Sequence, residues 1–132
     1  FPADLVLDNG APDAVRVVKE WSGGGADAAI DFVGRPETAR FALDCLRKGG
    51  TLVVVGLYGD RLSLPLPWLP LRILTLKGSY VGTLDDLKAV VALARQGKLP
   101  LINVEPRPIE QVNSALTDLA GGRVTGRVVL KP

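Results

Sequence analysis

Short apolar runs alternate along this chain with stretches of helical periodicity, so few architectures fit it. The clearest run, Thr51–Val55, is apolar throughout, which is typical of a central parallel strand covered by helices on both faces. Strands that alternate with helices build βαβ units. The pattern therefore predicts an α/β fold, a doubly wound parallel sheet with flanking helices.

Residue spacing predicts the individual elements. Strands are predicted at Asp4–Leu7, Ala28–Val33, Thr51–Val55, Ile73–Val81 with a bend at Gly78, and Val128–Leu130. Helices are predicted from Pro12 to Trp21, from Pro36 to Lys48, after a Thr83 cap as far as Gly97, and from Ile109 to Leu119. Arg47 and Lys48 are expected in the last turn of the second helix, where cations suit the helix dipole. The three prolines between residues 61 and 71 are expected to exclude regular structure there.

The composition excludes several kinds of site. The chain has no histidine and one cysteine, Cys45, so it cannot build a Cys/His zinc site, a Ser–His or Cys–His nucleophile pair or a disulfide framework. Sixteen basic and fourteen acidic residues leave a net charge of +2, too small for a nucleic-acid or membrane-surface footprint. No apolar run reaches the roughly 18 residues of a membrane span. We expect neither a nucleic-acid nor a membrane partner.

The chain contains no methionine and begins Phe1–Pro2. We therefore expect it to be part of a longer polypeptide, because no signal-peptide pattern accounts for the missing start. A processed product is the alternative.

Three predicted strands end in glycine, at Gly34, Gly56 and Gly82. Ligands of open parallel sheets bind outside the carboxyl ends of the strands, and a glycine there leaves the backbone bare toward an extended ligand. The other interpretation is that these glycines only make tight strand-to-helix turns. The phosphate-binding G-x-G-x-x-G and G-x-x-x-x-G-K-[ST] motifs are absent from the sequence.

Four other residues have open interpretations. Arg127 precedes the last predicted strand and would either hold a phosphate through paired hydrogen bonds or be a solvated surface charge. Asp31 lies in an apolar strand and fits a hydrogen-bonded structural carboxylate better than a catalytic base, because no partner carboxylate or histidine is placed beside it. Trp68 is either a lid over local core or an interface anchor. Cys45 fits a small packing residue.

Four sequence blocks point to a family when they are taken in order. They are Ala26–Gly34, Leu46–Gly56, Leu76–Thr83 and Gly122–Leu130. In this order and spacing they resemble the back half of medium-chain, zinc-type alcohol dehydrogenases. The resemblance covers nearly the whole chain. It implies that residues 1–132 are an incomplete, partial Rossmann-like dinucleotide-binding domain plus the C-terminal segment of a longer dehydrogenase.

The resemblance implies NAD or NADP as cofactor, NAD ahead of NADP, and hydride transfer between the nicotinamide and an alcohol or carbonyl. It implies that Val33–Gly34 lies near the adenine ribose and that Arg127 approaches the pyrophosphate. It also implies that the segments Val55–Leu57 and Ser79–Val81 offer backbone groups to the nicotinamide carboxamide, and that Trp68 borders the substrate cleft or the subunit contact. The implied cofactor-binding residues are Val33, Gly34, Val55, Gly56, Leu57, Ser79, Val81 and Arg127. No catalytic or metal-binding residue is implied within the chain.

The resemblance also shows departures from the family. The family's zinc ligands, proton-relay residues and glycine fingerprint match nothing in this sequence, so zinc is expected only in a missing N-terminal region of the parent. In the family's sheet, two further strands lie between the strand that resembles Leu5–Leu7 and the strand that resembles Ala29–Val33, and this chain lacks both. Their absence should leave one strand without a neighbour and about half of the dinucleotide-binding crevice missing. We expect the chain alone to be inactive. The parent is expected to be cytoplasmic and homo-oligomeric through an edge strand at Ile73–Val81.

Two other functions stay open. The parent would be a zinc-independent quinone or enoyl reductase of the same superfamily if its upstream sequence held no metal ligands. The chain would be a non-catalytic α/β binding module if it shared only the layout, because a fold does not determine a function. Dinucleotide titration separates them, since the module interpretation expects no affinity even from the longer polypeptide.

Overall fold

The computed structural model describes residues 3–59, 61–100 and 102–132. They form two compact units, one ending at Thr83 and the other running from Leu84 to Pro132. The helices are α1 (Ala14–Trp21), α2 (Pro36–Cys45), α3 (Trp68–Arg72), α4 (Leu84–Arg95) and α5 (Val112–Ala120), with a 3₁₀ turn at Ile109–Gln111. The strands are β1 (Ala26–Asp31), β2 (Leu46–Val54), β3 (Thr75–Gly78), β4 (Val104–Pro108) and β5 (Arg127–Lys131). Every strand pair given by these residues is parallel, which confirms the predicted α/β class.

The first unit is built on a three-stranded sheet in the order β1-β2-β3. Helix α2 connects β1 to β2 and packs against both strands, the usual arrangement of a βαβ crossover. Its apolar residues, spaced three and four apart, face the sheet. The core cluster consists of Ala39, Ala42, Leu43, Leu46 and Leu52. β2 is the central strand, as the apolar run predicts, but its two faces differ because Leu52 is fully buried and Val53 only half-buried.

The boundary between α2 and β2 differs from the prediction. Arg47 and Lys48 lie in β2 and not in the last turn of α2, because Leu46 already has an extended backbone with ψ of 144° and pairs with Ala26. The next paired residues are Ala28 and Thr51. Residues 47–50 of β2 therefore lie opposite a single β1 residue, and this excursion interrupts the ladder at the start of the strand.

Two strands are shorter than predicted. β1 ends at Asp31 instead of Val33, because the Asp31 carboxylate accepts the N–H groups of the two residues that follow Phe32 and thereby turns the chain. β3 covers only Thr75–Gly78 of the predicted Ile73–Val81. Ile73 and Val81 have φ angles of 52° and 44°, left-handed conformations that a strand cannot contain.

Two further predictions of local structure are wrong. The segment of residues 61–71 is not wholly irregular, since α3 begins at Trp68 and includes Pro70. A proline is tolerated in the first turn of a helix, where a backbone N–H would have no intrahelical partner. Residues 4–7 form no strand, and none of the strand pairs in the described ranges includes them.

The second unit contains a strand that the sequence patterns missed. β4, Val104–Pro108, pairs in parallel with β5, and Pro106 lies opposite Val129. Its two prolines hid it, because proline within a run argues against a strand. Arg107 on this strand forms an ion pair with Asp118 on α5. None of the helices in the described ranges has the length and apolar character needed to cross a bilayer.

Candidate functional site

The loops that follow β1 and β2 lie against each other at the carboxyl edge of the sheet. The N–H of Tyr58 donates to the carbonyl of Val33 at 3.2 Å, and the N–H of Gly59 donates to the carbonyl of Gly34 at 2.8 Å. Beside them is a cleft of about 280 Å³. The residues lining it are Gly34, Arg35, Pro36, Ala39, Val54, Gly56, Leu57, Gly59, Arg61 and Leu62.

Gly34 and Gly56 are required by the close approach of these two loops. Gly34 has a φ of 74°, and a Cβ on it would overlap the backbone of Gly56. A Cβ on Gly56 would overlap the backbone of Val33 in turn. The two glycines therefore allow the backbones of the loops to touch. This role differs both from exposing the backbone to a ligand and from making a tight turn within one loop.

Asp31 connects the two loops from the end of β1. It is 5% exposed, and its Oδ1 accepts the N–H groups of Val33 and Gly34, both at 2.9 Å. Its backbone carbonyl accepts the N–H groups of Val55 and Gly56 at 2.9 and 3.0 Å. The structural interpretation of Asp31 is thus the one that the geometry supports. These four N–H groups are committed within the fold.

The start of α2 extends this network. The Thr38 hydroxyl donates to Oδ2 of Asp31 at 2.8 Å and accepts the N–H of Arg35 at 3.1 Å. Pro36 is the first helical residue, a position where its missing N–H costs nothing. Thr38 was not predicted as a site residue, although a threonine in the first turn of a helix commonly bonds to polar groups at the helix start.

Two arginines, Arg35 and Arg61, line the cleft. The Arg35 guanidinium lies over the ring of Tyr58, 4.1 Å from the ring centroid, a cation–π contact. Neither arginine was singled out from the sequence. Arg35 directly follows a strand-end glycine, and that adjacency to the carboxyl edge was the available signal.

The predicted cofactor residues divide between the units. Ser79 lies beside the end of β2, because its N–H donates to the carbonyl of Val54 at 2.9 Å, and Val81 is 78% exposed. The predicted residues placed at or just beyond the carboxyl ends of the first unit's strands are Val33, Gly34, Val55, Gly56, Leu57, Ser79 and Val81. Arg127 belongs to the second unit, where it begins β5 and its N–H donates to the carbonyl of Asn103 at 2.8 Å.

The Trp68 ring contacts two arginines of its own unit. The guanidinium groups of Arg40 and Arg72 lie 4.3 and 5.2 Å from its ring centroid. The Arg72 Nη2 also donates to the carbonyls of Leu43 and Leu46, both at 2.9 Å. These bonds anchor α3 to the carboxyl end of α2.

The residues present do not form a zinc site. The chain has no histidine, and its cysteine, Cys45, is buried. Within the described ranges, no three Cys, Asp or Glu side chains are grouped so that they could hold a metal ion. A protein zinc site normally takes several nitrogen and sulfur ligands, which this chain cannot supply.

Comparison with known proteins gives relatives over almost the whole chain. An alcohol dehydrogenase of Rhizobium meliloti strain 1021 is 36% identical over 128 residues, which are 97% of this chain and 37% of that protein. A D-arabinose 1-dehydrogenase (NADP(+)) of Saccharolobus solfataricus is 35% identical over 136 residues, covering 98% of this chain and 39% of that protein. The crystal structure of an alcohol dehydrogenase from Aeropyrum pernix matches 98% of this chain and 37% of its own, with a TM-score of 0.86 and 36% identity.

The chain thus spans a little over a third of the length of these relatives. A family model described as zinc-binding dehydrogenase matches residues 1–96, well over half of the chain. This match contains three of the four sequence blocks that carry the resemblance, and the relatives above cover almost the whole chain. The chain therefore belongs to the zinc-binding dehydrogenase family.

Proposed function

We propose that this chain is the cofactor-binding part of an oxidoreductase that transfers hydride between NAD(P) and an alcohol or carbonyl compound. The observation that carries the proposal is the cleft at the carboxyl ends of β1 and β2, where two loops with glycine at their contact meet beside Arg35 and Arg61. Dinucleotides bind at this edge of parallel sheets. The arginines suit a cofactor that carries phosphate groups.

The proposed contacts in the first unit lie at the carboxyl ends of its strands. Val33 and Gly34 are proposed to border the adenine ribose, and Arg127 to reach the pyrophosphate. Val55, Gly56 and Leu57, together with Ser79 and Val81, are proposed to hold the nicotinamide carboxamide. Because the N–H groups of Val55 and Gly56 already donate to Asp31, we propose that these two residues bind the carboxamide NH₂ through their carbonyl oxygens. The bound nicotinamide supplies the hydride donor or acceptor.

We propose that residues outside these 132 supply the rest of the site. The described residues hold no donor set for zinc, so no metal-dependent step is assigned to this chain. Residues 1–132 would be an incomplete dinucleotide-binding domain with a C-terminal segment, and Trp68 would border the substrate cleft or a subunit contact. The substrate would be an alcohol or a carbonyl compound.

Cofactor titration tests the proposal. We expect the complete polypeptide that carries these residues to bind NADH or NADPH clearly, as measured by nicotinamide fluorescence, and the 132-residue chain to bind weakly and to reduce neither NAD nor NADP with an alcohol. Parallel NADH and NADPH titrations also test the preference for NAD. No binding of either dinucleotide by the complete polypeptide would refute the proposal, and alcohol-dependent reduction by the 132-residue chain would refute its division of the site.

We also propose that β3 mediates assembly into a homo-oligomer. In the described sheet of the first unit, β3 is one of the two edge strands and pairs with β2, and an edge strand offers backbone groups to a second strand. Mass photometry of the complete polypeptide is expected to show an oligomer. A species of monomer mass alone would contradict this part of the proposal.

A further inference from the structure

We propose that Asp31 is a positioning residue for the cofactor, and that it sets the geometry of both loops lining the cleft. This inference rests on the proposed function of the cleft as a dinucleotide site. Asp31 itself does not line the cleft, whose walls lie just beyond it. Its influence on a ligand must therefore pass through its hydrogen bonds.

The Asp31 side chain holds the first loop. A single carboxylate oxygen, Oδ1, accepts the N–H groups of both Val33 and Gly34 at 2.9 Å. Gly34 has a left-handed backbone with φ of 74°. The two bonds hold this turn in the conformation that brings Gly34 against the second loop.

The Asp31 backbone holds the second loop. Its carbonyl accepts the N–H groups of Val55 and Gly56 at 2.9 and 3.0 Å, which continues the sheet contact one step beyond the last paired residues. The side chain thus binds one loop and the carbonyl of the same residue binds the other, and these bonds act together with the direct bonds that Tyr58 and Gly59 make between the loops. Of these bonds, only those to the side-chain carboxylate are charge-assisted, and they are stronger than the neutral bonds to the carbonyl.

The Asp31 carboxylate also occupies N–H groups of the loop that leads into α2. N–H groups near a helix N-terminus commonly receive an anionic group of a ligand. Here the N–H groups of Val33 and Gly34 receive a carboxylate of the chain itself, and Thr38 in the first turn donates to its other oxygen at 2.8 Å. These two N–H groups, which lie in the loop before α2, are therefore not free to bind a phosphate of the cofactor.

Two substitutions separate the positioning role from other effects. Asp31→Asn keeps Oδ1 as an acceptor for Val33 and Gly34, and its NH₂ can donate to Thr38, whose own proton can turn to the Arg35 carbonyl 3.0 Å away. Asp31→Ala removes the acceptor for both N–H groups of the first loop. The geometry thus predicts that asparagine rescues what alanine loses.

The experiment measures the dissociation constants of NADH and NADPH for the complete polypeptide by nicotinamide fluorescence, at a temperature where circular dichroism shows each variant folded. We expect Asp31→Ala to weaken binding by about tenfold, a difference of about 1.4 kcal/mol, and Asp31→Asn to stay within about threefold of the unsubstituted protein. Thr38→Val fills the same volume but removes both the bond to Asp31 and the acceptor for the Arg35 N–H. It is expected to weaken binding about threefold and decides the matter if Asp31→Ala does not fold. Asp44→Ala is the matched control, because Asp44 is a part-exposed carboxylate on α2 whose partner is Arg40.

The outcomes separate the two proposals. Absence of binding by the unsubstituted polypeptide overturns the proposed function and the positioning role with it. Normal binding by the unsubstituted protein, with Asp31→Ala or Thr38→Val unchanged, overturns the positioning role alone. Equal weakening by alanine and asparagine also overturns it, because charge and not loop geometry would then be responsible.

Discussion

The Thr38 hydroxyl donates a 2.8 Å hydrogen bond to the buried carboxylate of Asp31. Hydrogen bonds to charged groups contribute more than neutral ones, so Thr38→Val is expected to lower the free energy of unfolding by about 1.5 to 3 kcal/mol. Urea denaturation checks this. Thr117→Val is the matched control, since the Thr117 hydroxyl binds only the Asn113 carbonyl on an exposed helix face, and its cost is expected to stay within about 0.5 kcal/mol. Equal losses in the two variants would contradict the role given to Thr38.

Gly56→Ala tests the packing of the two loops. A Cβ at Gly56 would overlap the backbone of Val33, so the loops must separate, and overpacking of this kind costs about 1 to 3 kcal/mol. Gly78→Ala is the control, because nothing lies within 4 Å of a Cβ at Gly78, and a change within about 0.5 kcal/mol is expected. Neither glycine has a positive φ, so space alone separates the two variants. Thermal unfolding of both proteins gives the comparison.

Arg72→Met tests the anchoring of α3. Methionine keeps much of the side chain's apolar contact but loses both bonds to the carbonyls of Leu43 and Leu46, at an expected cost of about 1.5 to 3 kcal/mol. Arg40→Met also removes a guanidinium beside Trp68, but its ion pair with Asp44 is on the surface, so its cost is expected to be at most about 1 kcal/mol. An Arg72 effect no larger than the Arg40 effect would show that the carbonyl bonds contribute little.

The α5 ion-pair network predicts a dependence of stability on pH. The Arg107 guanidinium, and after it that of Arg123, binds Asp118 and lowers the pKa of that carboxyl below its ordinary value of 3.8. Below pH 3.8 the unfolded chain therefore takes up a proton at this carboxyl that the folded chain does not. The free energy of unfolding consequently decreases as the pH is lowered through that range. Melting temperatures of the unsubstituted chain and Asp118→Asn should differ by a constant amount above this range and converge below it. A difference that does not shrink toward pH 2 would contradict the shift.

Cys45 is expected to resist alkylation. It is 4% exposed, and burial raises the pKa of its thiol, so both access and the fraction of thiolate are reduced. Iodoacetamide at pH 8 should modify the folded chain far more slowly than the chain in urea, as followed by mass spectrometry. Equal rates would show that the helix carrying Cys45 opens readily.

The sequence predicted the architecture better than the element boundaries. The apolar run at Thr51–Val55 identified the central strand because a buried strand needs continuous apolar side chains. The end of α2 was predicted too late in the chain, because Arg47 and Lys48 fit the last turn of a helix as well as they fit the exposed, unpaired start of a strand. β4 was missed because its parallel pairing with β5 comes from tertiary contact and not from local preference.

The candidate site was predictable in the same partial way. Gly34 and Gly56 were found because glycine after a strand has a local physical meaning. The mutual contact of the two glycines was not predictable, since it joins residues that are distant in the chain. The bond between Thr38 and Asp31 was also not predicted, although the two residues are seven apart in the chain and Asp31 stood out as a polar residue in an apolar strand.

The excursion of residues 47–50 has a practical consequence for protein engineering. Lys48 and Gly49 are exposed, and a Cβ at Gly49 would meet only the tip of the Arg47 side chain, at 3.8 Å. Exposed positions where pairing is already interrupted are places where foreign peptide is best tolerated. An epitope or a dye-labelling tag spliced between these residues would sit at the opposite end of β2 from the cleft, and would report on the chain without blocking ligand entry.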